Sequence, residues 1–337
     1  MSLWQKIKRP PWRTIVPGCG LLLVLIGAYL LWSPGMDVCD GRHDRRQNGI
    51  WISHGWLGDD SWFTRNGKTN ELDRYRNREA IQSLAAKFRE HHITDVFPHL
   101  CPADVDGTIP PVDATQVEQF LDGFAGFRVM PWIGGPSGSS VRYHKAQWRS
   151  AFAASVQKLF SAHPRFAGIH LNVEPLTSGD TNFLTFLDEL RTALPGGKLL
   201  SIAAYPPPTR WHPFEDLHWS EDYLRQVAKR CDQIAVMMYD TALRVPKLYQ
   251  RLMADWTVEV LAWSGGKPVL LGVPTYDDAG VGYHHPNVEN LRNALRGIHR
   301  GLSRQSLPAN YQGVAIYCDW ETDDAEWKYF REHFIKL

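Results

Sequence analysis

Short apolar runs alternate with amphipathic stretches from Gly49 to the last residues of the chain. Gly49-Ile50-Trp51-Ile52-Ser53-His54-Gly55 reads as a first strand. From Arg78 to His91, the apolar positions Ile81, Leu84, Ala85 and Phe88 recur at i, i+3, i+4 and i+7, which predicts a helix. Thr94 to Pro98 and Phe127 to Gly135 read as the second and third strands, separated by a helix from Thr115 to Phe124. A helix from Gln147 to Phe160 then leads into Phe166-Ala167-Gly168-Ile169-His170-Leu171-Asn172-Val173-Glu174-Pro175, the fourth strand, which Pro175 stops. The rhythm repeats in the second half. Strands are expected at Leu199 to Tyr205, Gln233 to Asp240, Pro268 to Pro274 and Gly313 to Trp320. The helices between them are those capped by Asp180 and Ser220, then Lys247 to Trp263, Val288 to Leu302, and a last one holding Trp327, Phe330 and Phe334.

Eight strand–helix units in strict alternation demand a parallel sheet and predict an α/β fold, a (β/α)8 TIM barrel over 49–337. An open doubly wound sheet is the alternative. No GxGxxG follows the first strand, so a dinucleotide cofactor has little support.

Ahead of the barrel lies an uncharged apolar run, Ile15 to Trp32, of roughly 18 residues, the short end of what crosses a bilayer. Lys6, Lys8, Arg9 and Arg13 precede it, which favours a cytoplasmic N-terminus. The expected organisation is a cytoplasmic segment (1–14), a single transmembrane helix as anchor (15–33), a linker (34–48) and an extracytoplasmic barrel. A cleaved signal peptide is the competing reading, but Ser33-Pro34-Gly35-Met36 offers no clear small-x-small site.

Composition narrows the function. The 337 residues carry a formal net charge of +1, so neither nucleic acid nor an acidic partner is indicated. Fourteen tryptophans exceed what a core needs and suit flat sugar rings. Five cysteines show no CxxC spacing, and His91, His92, His284 and His285 show no metal spacing and read as surface residues. No metal or cofactor is expected. A Cys39–Cys101 disulfide is permitted in an oxidising compartment but not established.

The chemistry gathers at strand ends, because a barrel places them around one bowl. Asn172 and Glu174 lie two apart and share a face of the fourth strand. The bowl also receives Trp51, Ser53 and His54 from the first strand and Tyr205 from the fifth. Tyr239 and Asp240, Tyr276 and Asp277, and Trp320 and Glu321 complete it. Carboxylates and aromatic rings with few cations suit a neutral carbohydrate better than a phosphate. A carboxyl among aromatic side chains has a raised pKa, which suits Glu174 to a general acid in glycoside cleavage. The alternative is a buried glutamate satisfied by a neighbouring Arg or amide.

Ala167-Gly168-Ile169-His170-Leu171-Asn172-Val173-Glu174 resembles the DGxDxDxE motif of glycoside hydrolase family 18, the chitinases and endo-N-acetylglucosaminidases. Met237-Met238-Tyr239-Asp240 is similar to the family's MxYD, and Gly272-Val273-Pro274-Thr275-Tyr276 to its GxPxY. Ile133-Gly134-Gly135 resembles its third-strand glycine turn, and Trp320 sits where its tryptophan floor is expected. The resemblance implies substrate-assisted hydrolysis of an N-acetylated glycan. Glu174 would be the acid, Tyr239 would bond the 2-acetamido group, and Asp240 would orient or stabilise the oxazolinium. Trp320, Tyr205, Tyr276, Trp51, Trp132 and Asp277 would contact the sugar. The motif's aspartates are replaced by Ala167, His170 and Asn172, of which Asn172 can still hydrogen-bond an acetamido group. His170 reads as a core residue supporting Asn172. Two other readings remain: a carbohydrate-binding barrel without activity, and a conventional retaining enzyme using Asp240, Asp277 or Glu321 about 5 Å from Glu174.

Overall fold

A computed structural model describes residues 12–31, 37–210, 212–214, 217–278, 280–304 and 306–336. The first residues of the expected cytoplasmic segment (1–11) and the junction of anchor and linker (32–36) lie outside them. The strands are β1 (Asn48–Ile52), β2 (Ile93–Pro98), β3 (Arg128–Val129), β4 (Trp132–Pro136), β5 (Gly168–Glu174), β6 (Leu199–Ala204), β7 (Gln233–Val236), β8 (Val269–Pro274) and β9 (Tyr311–Tyr317). They form one sheet in the order β3-β2-β1-β9-β8-β7-β6-β5-β4, and all its pairings are parallel.

Nine strands arise from eight expected ones because the third is split at Met130 and Pro131. Proline has no N–H to give to a ladder. The two end strands of the sheet, β3 and β4, are therefore consecutive pieces of chain. Backbone bonds flank the break on both sides. Met130 N reaches Val96 O at 2.9 Å and Leu100 N reaches Trp132 O at 2.8 Å. Ala167 N reaches Val129 O and His170 N reaches Pro131 O, each at 2.9 Å. The sheet thus curls round on itself, consistent with a TIM-like α/β barrel.

Two short helices, α2 (Asp60–Arg65) and α3 (Leu72–Arg76), follow β1, and the covering helices are α4 (Arg78–Glu90), α5 (Ala114–Gly123), α6 (Ala146–Ala162), α7 (Thr181–Ala193), α8 (Glu221–Arg230), α9 (Pro246–Trp263), α10 (Leu291–Leu302) and α11 (Asp324–His333). Their starts obey local chemistry. Asn77, Asp113, Asp180, Ser220, Asn290 and Asp323 each accept backbone N–H groups at an N-cap. Each helix lays an apolar face on the sheet, and Phe88, Phe120, Phe152, Leu187, Leu224, Trp256 and Phe330 are fully buried there.

Inside the barrel, alternate strand residues stack in layers. At the N-terminal end, Asp95 takes hydrogen bonds from Arg128 Nη2 (2.6 Å) and Gln312 Nε2 (2.5 Å). Above lies a small interior cluster that includes Trp51, Phe97, Ala235, Leu270 and Ala315. His170 belongs to this middle layer. Trp51 Nε1 donates to its Nε2 at 3.0 Å, Ser201 Oγ lies 2.9 Å from its Nδ1, and Phe97 stacks on its ring. Burial holds its pKa down at about 3, so it is a neutral core histidine.

One expectation is corrected. His91 and His284 are buried rather than on the surface, His91 against Trp327 and His284 against Tyr276. Cys39 and Cys101 are free thiols, one exposed and one buried in the interior cluster.

The N-terminal apolar run forms α1 (Trp12–Leu31), with Pro17 inside. Among the described residues no helix is long and apolar enough to cross a membrane.

Candidate active site

At the C-terminal strand ends, one cavity of about 150 Å³ is lined by Trp51, Trp132, Asn172, Glu174, Met237, Tyr239, Asp240, Tyr276, Asp278, Tyr283 and Tyr317. Strand alternation explains the set. Asn172 and Glu174 follow His170 on the inward face of β5, and Met237 and Tyr239 continue the parity of Gln233 and Ala235 in β7. A second cavity of about 130 Å³ shares Glu174, Met237, Tyr239 and Asp240 and extends to Tyr205, His212, His218 and Trp256. Larger depressions of about 380 Å³ and 670 Å³ occur elsewhere, but no carboxylate lines either.

The close approach of β4 to β5 depends on Gly134. Its φ is +119°, and a Cβ there would fall 2.0 Å from Asn172 O. Only glycine tolerates both constraints.

Asn172 Nδ2 donates to Glu174 Oε2 at 2.8 Å. Glu174 is open to solvent, but it sits on the floor of a concave site where protein atoms displace most of the surrounding water. That desolvation raises its pKa above the usual carboxyl range, and the charge of Asp240 pushes the same way. Hydrogen bonds from Asn172 and Tyr205 oppose the rise without cancelling it. Tyr239, also desolvated, has its hydroxyl held well above the ordinary range.

Two residues that line the cavity each hold a polar atom buried without a partner among the described residues: Asn172 Oδ1 and Trp132 Nε1. One is an acceptor and the other a donor. Orphaned buried polar atoms cost free energy, so both favour a ligand that pairs with them. Among the described residues, no Lys or Arg lines the cavity.

Asp240 has φ +60°, and this left-handed turn carries its carboxylate to the cavity edge. Tyr276 OH donates to Asp240 Oδ1. The ring of Tyr276 also packs edge-on against Tyr239 and Tyr317, at 5.8 and 5.2 Å between centroids.

The structure brings together Glu174, Asn172, Tyr239, Asp240, Tyr276, Trp51 and Trp132 in one cavity, with Tyr205 in the adjoining one. It leaves out Asp277 and Trp320. Asp277 is exposed, its backbone N–H bonded to Glu321 at 3.0 Å, while Asp278 lines the cavity instead. Trp320 is 39% exposed and touches the site only through Tyr317, 5.8 Å away. Tyr317, stacked on Tyr239 at 5.2 Å, takes the place expected of it. The signal for Tyr317 was present, since it keeps the parity of the interior residue Ala315. Tyr283, His284 and Glu289 carried no such signal because they lie in loops.

Solved structures with the same fold include a class V chitinase from Pseudomonas fluorescens Pf-5 (14% identity, TM-score 0.54, 85% of this chain and 99% of that one). A chitinase from Chromobacterium violaceum ATCC 12472 gives 17% identity and TM-score 0.52 over 85% and 98%. A fungal endo-β-N-acetylglucosaminidase gives 13% and 0.50 over 73% and 87%. At these identities the likeness concerns the fold. A search of curated proteins finds no match. The profile of Glycosyl hydrolases family 18 matches residues 80–307, a span that holds Trp132, Asn172, Glu174, Tyr239, Asp240 and Tyr276, and the chain belongs to that family.

Proposed function

We propose that this chain is a retaining glycosidase that cleaves an N-acetylhexosamine-containing glycan with help from the substrate's own 2-acetamido group. One observation carries the reading: Asn172 gives its N–H to Glu174 and keeps Oδ1 unpaired in the cavity. That arrangement supports acceptance of the acetamido N–H by Oδ1, which would turn the acetamido oxygen toward the anomeric carbon. Glu174, its pKa raised, donates its proton to the leaving oxygen. The acetamido oxygen bonds to the anomeric carbon as the glycosidic bond breaks. Glu174, now a carboxylate, takes a proton from the water that opens the oxazolinium. Asn172 carries no charge, so the oxazolinium is balanced by Glu174 and Asp240. Tyr239 and Tyr317 provide the wall, and Trp132 Nε1 offers a donor to a sugar oxygen.

A non-catalytic carbohydrate-binding barrel is the second reading, favoured by Ala167, His170 and Asn172 in place of motif acids. One experiment separates the two. The purified segment from Asp37 onward is incubated with N-acetylated oligosaccharides, and products are followed by mass spectrometry. Turnover that Glu174→Gln abolishes, and that a thiazoline mimic of the oxazolinium inhibits, supports the enzyme. Binding without products supports the second reading.

Membrane anchoring through α1, with the barrel outside the cytoplasm, belongs to the same proposal. It is supported by the exposed run Leu21, Leu22, Leu23, Val24 and Leu25 and by the basic residues ahead of it. Carbonate-resistant recovery of the full chain with membranes, lost on deletion of residues 1–36, is the expected result. Soluble full-length protein overturns it.

A further inference from the structure

Behind the cavity, two loops bury a histidine and a glutamate against Asp240. His284 and Glu289 are fully buried, and both lie between β8 and α10. Glu289 Oε2 accepts the backbone N–H of Thr241 at 2.9 Å, which pins the turn that carries Asp240. His284 Nε2 lies 2.9 Å from the carbonyl of Tyr276, and a carbonyl accepts only, so Nε2 carries a hydrogen. His284 Nδ1 therefore decides the charge of the ring. It lies 3.3 Å from Asp240 Oδ1 and 4.0 Å from Glu289 Oε2, and among the described residues it makes no directed hydrogen bond to another group. A neutral ring would turn a lone pair toward two carboxylates. A proton on Nδ1 converts that repulsion into attraction.

We propose that His284 and Glu289 are positioning residues that hold a proton on His284 Nδ1, fixing the Asp240 carboxylate through Oδ1. The proposal rests on the glycosidase reading above. Tyr276 OH also donates to Oδ1, so both protein contacts fall on one oxygen and Oδ2 is left for the cavity that Asp240 lines. Asp240 is thereby held oriented while the oxazolinium forms. The groups facing His284 are Asp240 from the β7–α9 loop, Tyr276 from the β8 end, and Glu289 from its own loop. Tyr249 of α9 stands beyond Glu289 and Asp240. Burial alone would discharge the histidine, but Asp240 and Glu289 outweigh it and raise its pKa. Burial also pushes Glu289 up to about 7.

The same three side chains offer ligand atoms within 4.8 Å of one another, a spacing that a cation also fits. Neither His284 nor Glu289 lines the cavity, and a proton needs no room.

Two readouts test the proposal on the full chain. Imidazole NMR titration, with His284 assigned by its loss in His284→Gln, should show a midpoint above that of a free imidazole. Its midpoint should fall by about one pH unit or more in Glu289→Gln and return in Glu289→Asp, which keeps the charge. In parallel, the alkaline limb of kcat for an N-acetylated oligosaccharide should move acidward by a similar amount in Glu289→Gln. KM should change less than about twofold, and the rate should recover at low pH. A ring neutral throughout, an unmoved midpoint, an unmoved limb, or one equivalent of bound metal by elemental analysis overturns the proposal. Should Glu289→Gln not fold, the wild-type titration decides. If the wild type cleaves nothing, the glycosidase reading fails, and the NMR titration still tests the proton clamp.

Discussion

Asn172 holds Glu174 by a 2.8 Å hydrogen bond between neighbours on one face of β5. An aspartate at 172 would set two carboxylates at that separation, and they could not both be ionised cheaply. Asn172→Asp should therefore raise the apparent pKa of the alkaline limb by about one unit or more, with the two groups titrating as a pair. The pH profile of kcat/KM checks this. An unmoved limb contradicts the coupling.

Tyr205 acts on Glu174 in the opposite sense. Its hydrogen bond stabilises the carboxylate and lowers the pKa. Tyr205→Phe should shift the alkaline limb upward, since Glu174 stays protonated to higher pH. The cost in kcat is expected within about tenfold, as only one bond to the carboxylate is lost.

Tyr317, not Trp320, borders the cavity. Tyr317→Ala should weaken oligosaccharide binding by about tenfold, while Trp320→Ala changes it by no more than about threefold. Titration calorimetry on a Glu174→Gln background measures both without turnover.

Gly134→Ala should damage stability and site together. The new Cβ would collide with Asn172 O at 2.0 Å while the backbone stays at φ +119°. A loss of at least about 2 kcal/mol in denaturant unfolding is expected.

Glu259 on α9 is a carboxylate with no catalytic task, pushed up to about 7 by burial and by Asp255. A raised folded-state pKa gives stability that is full below the unfolded value and lost as pH rises through the folded one. Glu259→Gln should therefore gain thermal stability relative to the wild type between about pH 4.5 and 7, and hold that gain above. Melting curves at several pH values test it. A constant offset would refute the linkage.

Much of this architecture was legible beforehand because periodicity is local. Alternation by two told which residues of β5 and β7 face inward, and the 3.6-residue period located α4, α7 and α9. The N-caps Asp180 and Ser220 were equally plain, since a cap needs only its own next few N–H groups. The exact strand ends were less so. The apolar pattern extends the eighth strand to Trp320, but β9 ends at Tyr317, and that shift of three residues moves the expected floor out of the site. The pattern of the third strand runs through Pro131, whose missing N–H splits it.

Taken alone, the chain determined eight strand–helix units, a carboxylate closing the fourth strand, and the family whose motif that carboxylate ends. Each depends on side-chain order along one element. Tertiary structure decided what closes the bowl: Tyr317 over Trp320, Asp278 over Asp277, and His284 and Glu289 beneath Asp240. Asp278, His284 and Glu289 stand on loops with no period to read, and their positions follow from contacts between segments distant in the chain; Tyr317 closes β9, where only the true strand end decides which aromatic faces the bowl. It also decided how Asn172 serves Glu174. Spacing put the two on one face, but only the folded site gives one amide atom to the acid and leaves the other unpaired.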